Sequence, residues 1–180
     1  MKFDVVVGNP PYGSGGNLAI RFLNKCGDLS DDIRLVLPVS IRKPSSQNKV
    51  RLDMVCLEDN TLPDDTFPRG IKAVYQRWVK TDSLRDKIET FTTHPDFEFV
   101  KKENAPDCMI FRCGASAGKI KYPGEFEDNK KDHYYLKADN DTIVRLKSIT
   151  DELITISKNV NGMPGISKHE LITTYISHYG

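Results

Sequence analysis

The chain has 180 residues, a formal net charge of +1, 38% hydrophobic residues and 28% charged residues. This length suits one domain, or one domain with a small appendage, and the composition is that of an ordinary globular protein. No apolar stretch is long enough for a membrane span and no signal peptide is recognisable, so we expect no membrane partner. The scattered cysteines form no C-x-x-C pair, which predicts reduced thiols in a cytoplasmic protein and no metal site. They are Cys26, Cys56, Cys108 and Cys113.

The first half of the chain alternates strand-like and helix-like segments. Residues 3–7 predict a short buried strand, because they form an apolar, largely β-branched run that ends at a glycine and two prolines. An amphipathic helix is predicted over residues 17–27, ending near Gly27. The remaining predictions are a strand over 33–38, a loop with a short helix over 40–48, and strands over 51–57 and 73–79. This alternation is typical of a doubly wound α/β sheet.

After about residue 82 the pattern changes to an irregular α+β region, so we predict two parts, 1–82 and 83–180. Short strands are predicted near 97–100, 108–112 and 134–136, separated by charged, glycine-containing connections. Helices are predicted over 141–157 and 167–177. Ser167 and Glu170 have the spacing of a capping box at the start of the last helix.

The tetrapeptide Asn9-Pro10-Pro11-Tyr12 follows directly after the first predicted strand. Two prolines can neither continue a strand ladder nor sit comfortably in a helix, so the tetrapeptide is expected to be a rigid extended loop. An amide, a fixed carbonyl and an aromatic ring at the end of a buried strand suit a planar base held by its exocyclic amine. A plain turn, or a ligand for a proline-binding module, would use the same residues.

Three segments carry a resemblance to a known family. Residues 4–12, which end in Asn-Pro-Pro-Tyr, resemble the catalytic motif of N6-adenine DNA methyltransferases of the gamma class, typified by the TaqI enzyme. The segment from Phe67 to Trp78 is similar to the family's later motif, in which a Phe-Pro turn precedes a strand. The segment from Leu35 to Ser40 resembles the family's strand that ends in Pro-x-Ser. More loosely, residues 111–119 resemble the start of the recognition region of phage and bacterial relatives.

The resemblance implies a role for each matching residue. The side-chain oxygen of Asn9 and the carbonyl of Pro10 would each accept one hydrogen from the adenine N6 amine, which localises the nitrogen lone pair for transfer of a methyl group. Tyr12 would stack on the base from one side and Phe67 from the other, with Pro11 lining the pocket, because the reacting atom cannot be reached inside a duplex. The family implies a partial Rossmann-like methyltransferase sheet, double-stranded DNA as substrate and S-adenosylmethionine as methyl donor.

The donor-binding half of the family comes before the catalytic motif, and only eight residues precede Asn9 here. We therefore expect a truncated form that carries the target-adenine half, and a chain that is inactive alone. The apolar first strand would then be an exposed edge, which favours a separate donor-binding subunit, a homodimer, or cover from residues 83–180. The chain's own glycine-bearing turn, Gly114 to Gly118, lacks one residue and the Ser or Thr of a phosphate loop.

Four lysines of the second half are candidates for contacts with DNA phosphates: Lys101, Lys102, Lys119 and Lys121. Lysines of this density also occur on plain solvated surfaces. Two functional classes remain open at this stage. One is the target-adenine half of a DNA methyltransferase from a restriction-modification or phage system. The other is a catalytically inactive relative that binds DNA or protein, for example as an interference protein.

Overall fold

The protein divides into two compact units, residues 1–90 and residues 91–180. The computed structural model describes residues 2–125 and 132–180. The sequence pattern had suggested a division near residue 82. Each unit is a mixed α/β unit with one four-stranded sheet and its own hydrophobic core.

The first unit contains strands β1 (Val6–Gly8), β2 (Asp32–Pro38), β3 (Met54–Thr61) and β4 (Ala73–Lys80). Its sheet, called sheet 1, has the order β1-β2-β4-β3. β1 is parallel to β2, whereas β4 is antiparallel to both β2 and β3, so β1, β2 and β3 share one direction. The sheet is therefore mixed. The regular parallel alternation predicted for a doubly wound sheet is present only in the β1–α1–β2 crossover.

Helix α1 (Asn17–Cys26) and the short helix α2 (Pro44–Gln47) lie between the strands of this unit in the chain. The predicted helix over 17–27 and the short helix within 40–48 are both confirmed. Alternate residues of β2 are buried, and they form a core with one face of α1. The members of this core include Ala19, Ile20, Leu23, Ile33, Leu35, Leu37, Val74 and Trp78.

β1 is shorter than predicted and begins later, at Val6. Before the strand starts, the buried hydroxyl of Ser30 donates to the carbonyl of Asp4 at 3.2 Å, so a side chain and not a strand ladder satisfies this carbonyl. In the described part of the chain β1 has a neighbour strand on one side only. The prediction that residues 3–7 are buried is wrong, because Val5 and Val7 are exposed, at 41% and 70%, and β1 has no neighbour strand on one side among the described residues.

The opposite edge of sheet 1 is β3, which also begins later than predicted. The backbone N–H of Arg51 donates to the Oδ1 atom of Asn24 at 2.9 Å, which draws residue 51 into a turn before the strand starts. β3 carries a β-bulge between Cys56 and Glu58, and Leu57 is the extra, exposed residue. A bulge and charged side chains make an edge a poor template for another strand.

The second unit contains β5 (Phe97–Val100), β6 (Cys108–Phe111), β7 (Ile120–Lys121) and β8 (His133–Ala138). They form an antiparallel sheet, called sheet 2, with the order β5-β8-β6-β7. Three helices follow: α3 (Asn140–Ser148), α4 (Thr150–Ser157) and α5 (Lys168–Tyr179). Their apolar residues form one core with sheet 2.

The prediction of one helix over 141–157 is wrong. The chain leaves helical geometry at Ile149, with φ −92° and ψ 4°, so α3 and α4 are separate helices. The predicted capping box of α5 is confirmed. The hydroxyl of Ser167 accepts from the N–H of Glu170 at 3.2 Å, and the carboxylate of Glu170 accepts from the N–H of Ser167 at 2.8 Å.

Within the described residues no helix is long and apolar enough to cross a membrane.

Candidate functional site

The loops that carry the predicted site residues lie at one edge of sheet 1. β1 ends at Gly8, next to Leu35 of β2, and the last residue of β2, Pro38, lies opposite the first residue of β4, Ala73. The end of β3 is there as well, because Thr61 pairs with Val74. We call this the carboxyl edge of sheet 1, since β1, β2 and β3 all end at it. Open α/β sheets form their ligand sites at such edges.

The tetrapeptide lies at the carboxyl edge in the loop after β1. Asn9 and Pro11 are exposed, Pro10 is buried and Tyr12 is half-buried. The buried Pro10 fixes the backbone of the loop and leaves the amide of Asn9 directed to a solvent-accessible surface. This arrangement can present an amide oxygen to a ligand without moving the main chain.

The backbone of Tyr12 is tied to the start of α1. Its carbonyl accepts from the N–H of Leu18 at 3.1 Å and from the N–H of Ala19 at 3.3 Å. The first N–H groups of a helix have no partner inside the helix, and here the tetrapeptide supplies one. The loop and the helix are therefore held together as one element.

The side chain of Tyr12 packs against the core of the first unit. Burial raises the pKa of its hydroxyl, and this hydroxyl has no hydrogen-bond partner among the residues that the structure describes. A buried polar group without a partner is unfavourable by about 1–3 kcal/mol. In this conformation the ring rests on the core, and it makes no ring-to-ring contact with another described residue.

Two further loops pack near the tetrapeptide. Gly16 has φ +77°, and a Cβ atom there would lie 3.0 Å from the side chains of Pro38 and Ser40. The turn of residues 14–16 after the tetrapeptide therefore touches the turn after β2, and a larger residue at position 16 would be strained and would require these side chains to shift. The segment that resembled Pro-x-Ser thus lies beside the tetrapeptide.

Phe67 comes shortly before β4, whose first residue is at the carboxyl edge. It is half-buried, has extended φ and ψ angles of −126° and 145°, and precedes the turn Pro68–Gly70. The topology brings Phe67 and the tetrapeptide to the same edge of sheet 1. Among the described residues, the rings of Tyr12 and Phe67 make no contact with each other.

A chain of polar contacts that runs from the core towards this edge was missed by the sequence analysis. Trp78 donates through Nε1 to the Oε1 atom of Gln76 at 2.9 Å, and Gln76 donates through Nε2 to Asp59 at 3.0 Å. Asp59 in turn accepts from Arg42, with Nη2 at 2.7 Å from Oδ1. Gln76 and Trp78 alternate on one face of β4 and both carry a polar group at the end of a long side chain, which was a weak signal for a contact between them. The partner on β3, Asp59, could not be predicted, because it depends on the strand order.

The four lysines of the second unit are only partly brought together. Lys101, Lys102 and Lys119 lie in connections at one end of sheet 2, where β5 and β6 end and β7 and β8 begin. Lys101 is within 4.0 Å of the carboxylate of Glu103, and both are exposed. Lys121 lies on β7 with its ammonium 5.6 Å from the centre of the Phe111 ring.

The turn from Gly114 to Gly118 does not fit a bound methyl donor. A Cβ atom on Gly118 would lie 2.7 Å from the backbone of Leu153 and Ile154, so α4 occupies the space that a glycine-rich cradle would leave for a ligand. In the first unit, a Cβ atom on Gly13 would lie 2.7 Å from Leu18, and one on Gly16 would lie 3.0 Å from Pro38 and Ser40, so neighbouring side chains occupy the space there as well. At Gly13, Gly16 and Gly118, among the described residues, the close contacts therefore do not fit the glycine-rich cradle of a methyl donor.

Among the described residues no cluster of His, Cys, Asp and Glu could hold a metal ion. The fold and the carboxyl edge define a two-unit mixed α/β protein with an amide-bearing, proline-rigid loop at the end of a strand. No family model, no curated protein and no solved structure matches the chain.

Proposed function

We propose that this chain is the target-adenine part of a DNA adenine-N6 methyltransferase similar to the gamma class. The observation that carries the proposal is the Asn9-Pro10-Pro11-Tyr12 loop at the carboxyl edge of sheet 1, with its amide exposed and its backbone held by buried Pro10 and by α1. A loop with a merely structural role needs no rigid, exposed amide at this position.

The proposed chemistry uses preorganised acceptors. The lone pair of the adenine N6 nitrogen is delocalised into the ring, so the amine is a weak nucleophile. The Oδ1 atom of Asn9 and the carbonyl of Pro10 would each accept one N6 hydrogen and so favour a tetrahedral nitrogen. Acceptors that are already in place need no reorganisation during the reaction.

Base stacking would complete the pocket. Tyr12, Pro11 and Phe67 all belong to loops at the carboxyl edge, and stacking on an aromatic ring contributes about 1–3 kcal/mol per base. That free energy offsets much of the cost of taking the base out of a duplex. Lys101, Lys102, Lys119 and Lys121 are proposed to contact DNA phosphates.

The mixed sheet supports the proposed partial Rossmann-like half. β1, α1 and β2 form one parallel crossover unit, and the antiparallel β4 lies between β2 and β3. The exposed edge of β1 supports a partner strand, from a donor-binding subunit or a second copy of the chain. The resemblance implies S-adenosylmethionine as the methyl donor. It would be bound by the donor-binding subunit and not by the residues described here.

The alternative is a catalytically inactive protein that binds DNA or protein. It is favoured by Gly13 and Gly118, where a Cβ atom would lie 2.7 Å from other protein atoms, so that these two positions leave no open space for a donor. A reducing cytoplasm, of a bacterium or of a phage-infected cell, suits both candidates, because all four cysteines are free.

Binding of the N6 amine is the direct test. We expect the purified chain to bind an oligonucleotide that contains adenine about tenfold more tightly than one that carries purine, which lacks the amine, because two hydrogen bonds are lost. Asn9→Ala should reduce this preference, whereas Asn60→Ala, a change on β3, should keep it. Equal affinity of the wild-type chain for adenine and purine would contradict the proposal.

Methyl transfer separates the two candidates. The purified chain with labelled S-adenosylmethionine and DNA should give no labelled adenine, and transfer by this chain alone would contradict the proposed division of the site. Transfer that depends on a donor-binding protein and is lost in Asn9→Ala would establish the enzyme. An adenine preference that no such protein converts into transfer would favour the inactive binding protein.

A further inference from the structure

Arg42 is held at the carboxyl edge of sheet 1 by a carboxylate. It is the last residue of the turn Val39–Arg42 that follows β2. Its Nε atom lies 3.1 Å and 3.0 Å from the two oxygens of Asp59, and its Nη2 atom lies 2.7 Å from Oδ1. Both side chains are one-third exposed, at 33% each. The guanidinium group is planar, so this paired contact fixes its orientation.

Asp59 is itself held from the core. Gln76, which is 1% exposed, donates to Asp59 Oδ2 at 3.0 Å, and Gln76 is locked by its contact with Trp78. A chain of hydrogen bonds therefore reaches from the buried indole of Trp78 to a guanidinium group at the surface. Such support is more than a solvated arginine needs, and it is what a positioned binding group requires.

The pair with Asp59 leaves part of the arginine available. A guanidinium group has five N–H donors, and Asp59 occupies those of Nε and Nη2. Within the described residues the Nη1 atom of Arg42 has no protein acceptor. Its two N–H groups can therefore bind an anion with oxygen acceptors, in a direction set by Asp59.

A second cation is held beside the same loops. The ammonium of Lys49 donates to the Oδ1 atom of Asn17 at 2.9 Å, and Asn17 donates through Nδ2 to the carbonyl of Ser14 at 3.0 Å. Lys49 is exposed, and no described carboxylate is within ion-pair distance of its ammonium. Its charge is therefore not neutralised by a neighbour.

Both cations belong to elements that pack around the continuation of the tetrapeptide. Lys49 contacts the first residue of α1, directly after the turn of residues 14–16, and Gly16 of that turn touches Ser40 in the turn that carries Arg42. In contrast, exposed Asp64 and Asp65 lie in the connection between β3 and β4, and they disfavour an anion there. The positive side of the carboxyl edge is therefore the side of Arg42 and Lys49.

We propose that Arg42 and Lys49 form a phosphate-binding site for the nucleic-acid strand whose base is bound at Asn9–Tyr12. The inference rests on the proposed function, in which that loop holds a base. Phosphodiester groups have the charge and the oxygen acceptors that a fixed N–H pair and a free ammonium bind, and phosphate contacts set the position of a strand without reading its sequence.

The salt dependence of binding tests this site. Each phosphate contact on a single strand contributes about −0.7 to the slope of log K against log salt concentration. With a fluorescein-labelled single-stranded oligonucleotide that contains adenine, Arg42→Gln and Lys49→Gln should each reduce the magnitude of the slope by about 0.7. Arg42→Lys, which keeps the charge but not the paired contact with Asp59, should keep most of the slope and lower the affinity.

Lys25→Gln is the matched control, because Lys25 is an exposed cation in the last turn of α1, paired with Asp28 at 3.0 Å and away from the carboxyl edge. It should leave the slope unchanged. Wild-type slopes for both Arg42→Gln and Lys49→Gln would overturn the proposal. A second oligonucleotide, with every adenine replaced by thymine, should show the same reductions. If the proposed base pocket is wrong, the wild-type chain shows no preference for adenine, but the two variants still reduce the slope. If the phosphate site is wrong, the preference for adenine is present and both variants keep the wild-type slope.

Discussion

The indole N–H of Trp78 donates to the side-chain oxygen of Gln76, 2.9 Å away, although both residues lie on the same strand and are only 1% exposed. The two side chains share one face of β4, two residues apart. This contact completes the hydrogen bonding of an amide and an indole that would otherwise be unfavourable in the core of the first unit.

Replacement of Gln76 by leucine should destabilise the first unit. The change leaves the Trp78 N–H buried without an acceptor and removes a donor from Asp59, so the free energy of unfolding should fall by about 1–3 kcal/mol. Urea denaturation followed by tryptophan fluorescence measures this, since Trp78 is the single tryptophan. Variants with Trp78→Phe have no tryptophan, so their unfolding is followed by circular dichroism. The losses of unfolding free energy caused by Gln76→Leu and by Trp78→Phe should not add up in the double variant; strict additivity would mean that the two side chains do not interact.

Tyr12→Phe should stabilise the protein. The hydroxyl of Tyr12 is hydrated in the unfolded chain and has no partner in the folded one, so its removal should raise the free energy of unfolding by about 1 kcal/mol. Tyr175→Phe is the matched control, because the hydroxyl of Tyr175 donates to Asp96 at 2.8 Å and its loss should be destabilising. Destabilisation by Tyr12→Phe would show that its hydroxyl has a favourable contact.

Asp32 should make the stability of the first unit depend on acid pH. Hydrogen bonds from Arg34 and then from Arg77 lower the pKa of Asp32 to about 2, below its ordinary value of 3.8. A carboxyl group with a lower pKa in the folded state stabilises that state above the unfolded pKa, and this contribution is lost as pH falls through the folded pKa. The stabilisation should thus be complete above about pH 4–5 and should disappear towards pH 2.

The comparison of wild type with Asp32→Asn in urea at several pH values measures this effect. The variant should be less stable by about 1–2 kcal/mol at pH 6, and the difference should shrink as the pH approaches 2. Asp31→Asn is a suitable control, because Asp31 pairs with Lys2 at the surface, where ion pairs contribute little. A difference that stays constant from pH 6 to pH 2 would argue against a lowered pKa.

Gly118 should tolerate alanine far less well than Gly114. Both have φ near +90°, at +89° and +87°, so alanine is strained at both positions. Only at Gly118 would the added Cβ meet backbone atoms, 2.7 Å away in α4, whereas the space at Gly114 is open. Thermal unfolding should show an additional loss of about 1–3 kcal/mol for Gly118→Ala over Gly114→Ala. Equal losses would contradict the close approach of α4.

The elements that could be predicted from the sequence are those whose formation depends on residues close together in the chain. The strand over 33–38 was predicted from its run of apolar residues, and the start of α5 from Ser167 and Glu170. The place of β4 between β2 and β3 depends on pairing between distant segments, which hydrophobic periodicity does not encode. The same is true of the Asp59 and Gln76 contact, because it exists only when β3 and β4 are neighbours.

The candidate site shows the same division. The rigidity of Asn9–Tyr12 follows from its two prolines, and the position of the loop follows from the strand before it. The inward packing of the Tyr12 ring, its unpartnered hydroxyl and the support of Arg42 are tertiary features. Hydrogen-bond partners distant in the chain decide them, and residue patterns over a few positions carry no such information.

The bulge on β3 limits how copies of this protein can assemble. Because the bulge between Cys56 and Glu58 makes β3 a poor template, β1 is the edge of sheet 1 that favours pairing with another strand in the described residues. A sheet that extends over many copies needs both edge strands of every copy to pair. Pairing through β1 alone therefore gives a dimer with no further free β1 edge. The exposed Val7 on the edge strand β1 is therefore less of a risk for fibre formation through this sheet.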